Sequence, residues 1–179
     1  MTKPQVLTFA GSSSSRSINR QLARYAAGLF TGAVIEELDL YDFQLPLYRA
    51  DDEAAHGIPE PVYRFLMKMK AADFIVLSLA EHNGTFTAAF KNVLDWASRA
   101  DRNVFQEKPM LLLATSEGRQ GAASVLQDGQ RIFPFLGGNI VATFSLPTFS
   151  QYFDNNRMTL RDATFREQLS AIVANVQRQ

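Results

Sequence analysis

Two stretches of the 179-residue chain, "DFIVLSL" (73–79) and "PMLLLAT" (109–115), are apolar almost throughout, with no alternation. A strand with one wet face alternates apolar and polar residues, so these runs predict strands buried on both faces. Such strands need a layer of helices above and below their sheet. The rest of the chain supplies those layers. Residues 4–10, "AVIEELDL" (33–40) and "NIVATFSL" (139–146) predict three more strands, the last two mixed in polarity, as sheet edges are. Helical spacing appears over 17–30 (Ile18, Leu22, Tyr25, Ala26, Leu29) and over 86–100, where Phe86, Phe90, Val93, Leu94 and Ala97 share a face. Further helices are expected over 59–72, with Pro61 tolerated in the first turn, and over roughly 121–136. Residues 41–58 read as a long polar loop. A last helix is expected near Thr159–Asp162, "TLRD", which has capping-box spacing with Asp in place of Glu.

Strand and helix alternate five times, which argues for a parallel sheet covered by helices on both sides. With the mixed strands at the edges the order is 2-1-3-4-5, that of a flavodoxin-like three-layer α/β sandwich with a five-stranded parallel sheet. The length suits one domain spanning 1–179.

Lys+Arg and Asp+Glu both number 18, and no run of basic residues occurs, so neither nucleic acid nor an anionic membrane is expected as partner. The absence of cysteine removes disulfides, thiolate metal sites, Cys nucleophiles and CxxC redox chemistry together. His56 and His82 have no metal-ligand spacing, so no metal site is expected. "GSSSS" does not fit GxSxG, which argues against serine hydrolysis, and no catalytic side chain is assigned. The apolar part of the N-terminus is too short for a secretory signal, and no segment approaches the ~20 apolar residues of a membrane span. A cytoplasmic location is the expectation.

In a sheet of order 2-1-3-4-5 ligands bind beyond the carboxyl ends of the strands, in the crevice between strands 1 and 3. "GSSSSRSIN" (11–19) lies at that corner and leads into a helix N-terminus, which attracts anions through unpaired N–H groups and the helix dipole. It lacks GxGxxG and GxxxxGK[ST], so a terminal phosphomonoester suits it better than a pyrophosphate. The other reading makes Ser17 a helix cap and the remaining serines a turn. The segment alone leaves both open. Asn83-Gly84 is a turn dipeptide, followed by Thr85 or Thr87 as a cap, and "SEGRQGA" (116–122) leaves strand 4 toward the same edge. Asp95 with Arg99, and Lys91 with Asp95, have ion-pair spacing, with Asp95–Arg99 a surface or interface pair. Trp96 reads as packing or a subunit contact. Residues 147–160 read as a lid, a subunit contact or a loop over buried aromatics.

These residues resemble the NADPH-dependent FMN reductases, including flavodoxin-like quinone, azo-dye and chromate reductases. That family carries GSxRxxSxN after strand 1, a pattern like PEYNGS…LKNAIDWxSR after strand 3, and a Gly-rich loop after strand 4. Here these become Gly11-Ser12…Ser17-Ile18-Asn19, then Glu81-His82-Asn83-Gly84-Thr85…Phe90-Lys91-Asn92-Val93-Leu94-Asp95-Trp96…Ser98-Arg99. "LPLY" (45–48), followed by Asp51 and Asp52, resembles the loop after strand 2. The resemblance runs to about residue 145 and is most specific after strand 3.

It implies FMN as cofactor, with its phosphate held by Ser12, Ser17 and Asn19. The family's Arg falls on Ser14, and Arg16 lies two positions later. Glu81, His82, Asn83, Gly84 and Thr85 would border the isoalloxazine, and Ser116, Glu117, Gly118 and Gly121 would face its other side. Ala80-Glu81-His82 replaces Pro-Glu-Tyr, and Gly121-Ala122 stands where many relatives have two glycines. NADPH or NADH would donate hydride, and the acceptor would be a quinone, azo compound, metal oxyanion or free flavin. A homodimer or homotetramer is implied. The alternative is a flavodoxin-like electron carrier or a non-catalytic flavin-binding module, which the neutral charge balance disfavours, since short flavodoxins tend to be acidic.

Overall fold

The computed structural model describes residues 3–178. In chain order the elements are β1 (Gln5–Ala10), α1 (Ile18–Gly28), β2 (Val34–Glu37), α2 (Ala50–His56), α3 (Glu60–Ala71) and β3 (Phe74–Leu79). There follow the small hairpin β4 (Glu81–His82) and β5 (Thr85–Phe86), α4 (Ala88–Ala100), β6 (Pro109–Thr115), α5 (Ala123–Ile132) and β7 (Asn139–Leu146). The chain then forms α6 (Phe149–Tyr152), a second hairpin of β8 (Phe153–Asp154) and β9 (Thr159–Leu160), and α7 (Ala163–Val176). The main sheet is parallel throughout, in the order β2-β1-β3-β6-β7, which is the flavodoxin-like arrangement.

β3 is buried at every position and β6 at all but Pro109, whereas β2 is mostly exposed and β7 mostly half-buried. Successive side chains of the central strands enter opposite layers. Leu7, Phe9, Leu77 and Leu112 join Phe65, Phe90, Trp96 and Phe133 under α3, α4 and α5. Val6, Val76, Leu111 and Leu113 join Leu22, Ala26, Leu169 and Val173 under α1 and α7.

The structure departs from the sequence reading at several ends. β2 stops at Glu37, because the chain turns at Leu40–Asp42 under an Asp39 cap on Tyr41 N–H. The 41–58 stretch contains α2, whose first turn holds Asp51, Asp52 and Glu53, charges that favour a helix N-terminus. The helix expected to run to 136 stops at Ile132, and Pro134 continues only as a tighter turn ended by Gly137. The last helix starts at Ala163. Asp162 is itself the cap, accepting from Phe165 N–H, while Thr159 pairs with Asp154 in the hairpin. Phe86 precedes α4, whose cap is Thr87, yet its ring stacks on Phe133 and so stays in the same layer as Phe90.

The segment after β2 is fastened to one face of α4 by residues spaced four and three apart. The Asn92 carboxamide accepts Tyr48 N–H at 2.9 Å and donates to Pro46 O at 3.0 Å. Trp96 is buried and donates its indole N–H to the same carbonyl at 2.8 Å, so it packs inside the subunit. Arg99 does not pair with Asp95. It reaches Glu53 at 3.0 Å, and Lys91 takes Asp95 at 2.6 Å. Tyr48 donates its hydroxyl to Glu53, and its ring meets Trp96 edge-on. The Arg99 and Tyr48 hydrogen bonds hold the Glu53 carboxyl below its ordinary range, and the bond to Glu53 raises the Tyr48 phenol. Asn92→Ala removes these partners from a half-buried backbone. It is expected to cost about 1–3 kcal/mol in urea unfolding and to speed limited proteolysis within residues 44–49.

Candidate functional site

A cleft of about 270 Å³ opens at the carboxyl edge of the sheet, where β1 and β3 lead the chain off in opposite directions. Its first wall is the serine loop. Gly11 N–H continues the ladder to Ser78 O at 2.9 Å, and the Thr87 hydroxyl donates to Gly11 O at 2.8 Å. Beyond that point the loop bonds to itself. Ser12 Oγ accepts Ser14 N–H at 3.2 Å, Ser14 Oγ accepts Arg16 N–H at 3.4 Å, and Ser17 Oγ caps α1 by accepting Arg20 N–H at 3.2 Å. Each hydroxyl acts as an acceptor, so its own hydrogen remains available to donate. Ser17 as cap and Ser17 as anion donor are therefore compatible. Among the described residues, no acceptor meets the backbone N–H groups of Ser12, Ser13, Ser15, Ile18 and Asn19. Arg16 is exposed and forms no ion pair among the described residues.

Asn19 departs from its expected role. Its side chain is buried, its carboxamide oxygen accepts the Ser78 hydroxyl at 2.7 Å and Thr115 N–H at 3.0 Å, and its amide donates to Thr115 O at 3.0 Å. The side chain ties α1 to β3 and β6, and what it offers the cleft is chiefly its backbone N–H.

The second wall is Ala80, Glu81 and His82, of which His82 is exposed. Asn83 at φ 52° and Gly84 at φ 81° both take the left-handed conformation of a two-residue hairpin turn, and with Thr85 they stand outside the cleft proper. Glu81 also has a structural partner that the sequence did not indicate. Its Oε2 accepts Val125 N–H at 2.9 Å, at the start of α5. The Thr85 hydroxyl, instead of capping α4, donates to Asp128 at 2.7 Å, and Asp128 pairs with Arg131 at 3.0 Å.

The third wall holds Thr115, Ser116 and Glu117. Glu117 accepts Ser150 N–H at 3.0 Å, and Gly118 O accepts Gly121 N–H and Thr148 N–H. Gly118 and Gly121 thus shape the wall from behind it. The 147–160 segment docks there with Phe149 and Phe153 stacked and buried, which is the loop-over-aromatics arrangement. Ile18 and Ala80, named above only as parts of their motifs, line the cleft, and so does Thr115, which had not been singled out. A Thr closing the apolar run "PMLLLAT" was the available signal for Thr115. A second cavity of about 290 Å³ lies across the serine loop, between Ser13, Tyr41, Phe43, Leu45 and Ala89.

Residues 4–151 match the profile of the NADPH-dependent FMN reductases. The chain belongs to that family. Among curated proteins it is 38% identical over 120 residues to an NAD(P)H-dependent FMN reductase of Pseudomonas aeruginosa, a match covering 66% of this chain and 63% of that one. It is 32% identical over 181 residues to an NADPH:quinone oxidoreductase of Arabidopsis thaliana, covering 97% and 90%. Among solved structures, the flavoenzyme NAD(P)H:(acceptor) oxidoreductase of Paracoccus denitrificans superposes with a TM-score of 0.75 over 96% of this chain and 94% of that one, at 24% identity. That likeness supports the fold. No helix among the described residues is long and apolar enough to cross a membrane.

In this FMN reductase family member the two turn glycines of the site differ in their surroundings. A Cβ on Gly84 would meet nothing within 4 Å, whereas one on Gly121, at φ 58°, would collide with Ser145 Oγ and approach Pro147 N at 3.0 Å. Gly84→Ala is therefore expected to cost about 1 kcal/mol from the backbone alone, and Gly121→Ala at least ~2 kcal/mol more, in denaturant melts. A second expectation concerns acid. The Thr85 hydroxyl first, and Arg131 second, hold the Asp128 carboxyl below its ordinary value. A depressed carboxyl contributes stability that is complete above its unfolded pKa and lost as the pH falls through the folded one. From about pH 5 to about pH 3, the urea midpoint of the parent should thus fall more steeply than that of Asp128→Asn.

Proposed function

We propose that the chain is an FMN-dependent NAD(P)H oxidoreductase that binds FMN in the cleft between β1 and β3. The observation that carries this is the serine loop's set of five backbone N–H groups and an Arg16 that find no partner among the described residues, with three serine hydroxyls able to donate, all beside the N-terminus of α1. No carboxylate bonds to this loop among the described residues, which fits a site for a dianionic phosphomonoester. Ser12, Ser14, Arg16 and Ser17 would hold the phosphate, together with the backbone of Ile18 and Asn19. The walls at Glu81–Thr85 and Ser116–Gly121 would border the ring.

When bound, FMN supplies hydride acceptance from NADPH or NADH and electron delivery to a quinone, azo compound, metal oxyanion or free flavin. The protein's own task is to bind and orient. The cap and strand ties fix the loop before ligand arrives, and the N–H groups favour negative charge without having to reorganise. Relatives named as FMN and quinone reductases support this reading over an electron carrier. A cytoplasmic setting and a homodimer or homotetramer belong to the same proposal. Tyr41 and Leu47, 59% and 75% exposed near the second cavity, favour contact between copies, which light scattering would test.

The phosphate reading is tested by titrating FMN and riboflavin into apoprotein. FMN should bind several tens-fold more tightly, because hydrogen bonds to a charged group contribute ~1.5–3 kcal/mol each. Arg16→Ala should reduce that preference by about tenfold while leaving riboflavin affinity unchanged. The bound flavin should bleach when NADPH is added without oxygen. Equal affinity for the two ligands would show that the serines form only a turn and a cap.

A further inference from the structure

The Asn83-Gly84 turn is fastened to α5 on both of its arms. Before the turn, Glu81 Oε2 accepts Val125 N–H at 2.9 Å. After it, the Thr85 hydroxyl donates to Asp128 Oδ2 at 2.7 Å. Val125 and Asp128 are three residues apart, so the two bonds meet neighbouring points on one helix face.

α5 also lacks a cap of its own. Ala122 stands at the N-cap position with φ 61° and offers no side-chain acceptor. Val125 N–H is one of the four groups that a helix start leaves unbonded, and the acceptor comes from a different loop. The carboxylate is well placed there, since negative charge near a helix N-terminus is favourable. α5 directly continues the 116–121 loop that forms the third wall. The strands that lead into these two walls, β3 and β6, pair as far as Leu79 and Ala114; beyond that point Glu81 ties one wall to the other.

We infer that Glu81 is a positioning residue: by capping α5 from across the cleft, with Thr85–Asp128 as a second tie, it sets the spacing between the 80–85 and 116–121 walls that receive the flavin. This rests on the reading of the cleft as the FMN site. The family resemblance implies that Glu81 borders the ring, and Glu81 does line the cleft. Its carboxylate is at the same time engaged by Val125 N–H.

The test compares Glu81→Ala, Glu81→Gln and Thr85→Val in the full chain. Three quantities are read: amide hydrogen exchange at residues 82–85 and 122–125 without ligand, thermal midpoint, and FMN affinity by absorbance titration. Glu81→Ala should speed exchange at the turn and at Val125 and weaken FMN binding about tenfold or more. Glu81→Gln keeps an oxygen that can accept the Val125 N–H, so it should stay within about threefold of the parent. Thr85→Val should weaken binding by a smaller factor in the same direction.

A lowered thermal midpoint with unchanged FMN affinity would make Glu81 a helix cap only and overturn the inference. A Gln variant as weak as Ala would overturn it too, because charge rather than position would then be the cause. Should Glu81→Ala not fold, Thr85→Val and Glu81→Gln decide the question by the same readouts. A parent that binds no FMN would remove the flavin reading itself. The exchange data would still separate that failure from failure of the tie, which unchanged turn protection in the variants would show.

Discussion

One buried carboxamide holds the cleft to the sheet. Asn19, in the first turn of α1, bonds to the Ser78 hydroxyl on β3 and to both backbone groups of Thr115 on β6. A buried amide left unsatisfied is costly, so this set of bonds admits one placement of the helix start relative to the two strands. The serine loop spans the short distance from Ala10 to that point, and so lines the cleft at the sheet edge. Every later feature of the site presupposes that placement.

The carboxylates around the cleft follow a common rule. Glu81 and Glu117 both line it, and an anion bound nearby would be repelled by either if it were loose. Each is instead directed at a backbone N–H near a helix start, Val125 for one and Ser150 for the other. These bonds hold both carboxylates in fixed places, apart from the N–H groups, hydroxyls and Arg16 of the serine loop. The walls are thus organised by the protein's own bonds, and binding need not first order them.

The sheet was legible because burial on two faces writes itself into composition: "DFIVLSL" and "PMLLLAT" admit few other readings. The cleft was legible because the order 2-1-3-4-5 brings the loops after β1, β3 and β6 to one end. Which atom each polar residue bonds was not. Asn19 and Glu81 lie within motifs that suggest ligand contact, and only three-dimensional proximity reveals their partners on distant elements. The same holds for Asn92, Trp96 and Arg99, whose spacing is visible but whose partner segment, the loop after β2, is not adjacent in sequence. Element ends were misjudged where a single side chain decides: Asp162 starts α7 three residues later than the capping pattern suggested, and Pro134 ends α5 early.

The strand order has a bearing on how the molecule assembles. β1 lies beside β3, with Val6 next to Phe74, so the seam that forms the cleft joins stretches separated by α1, β2, α2 and α3. Loop closure over such a span costs entropy before the pairing returns any stabilisation, and parallel pairing of this kind forms slowly. The β6–β7 pair and the hairpins are more local. The seam at the switch point is therefore a costly pairing to close, and both sides of it must be present before the cleft exists.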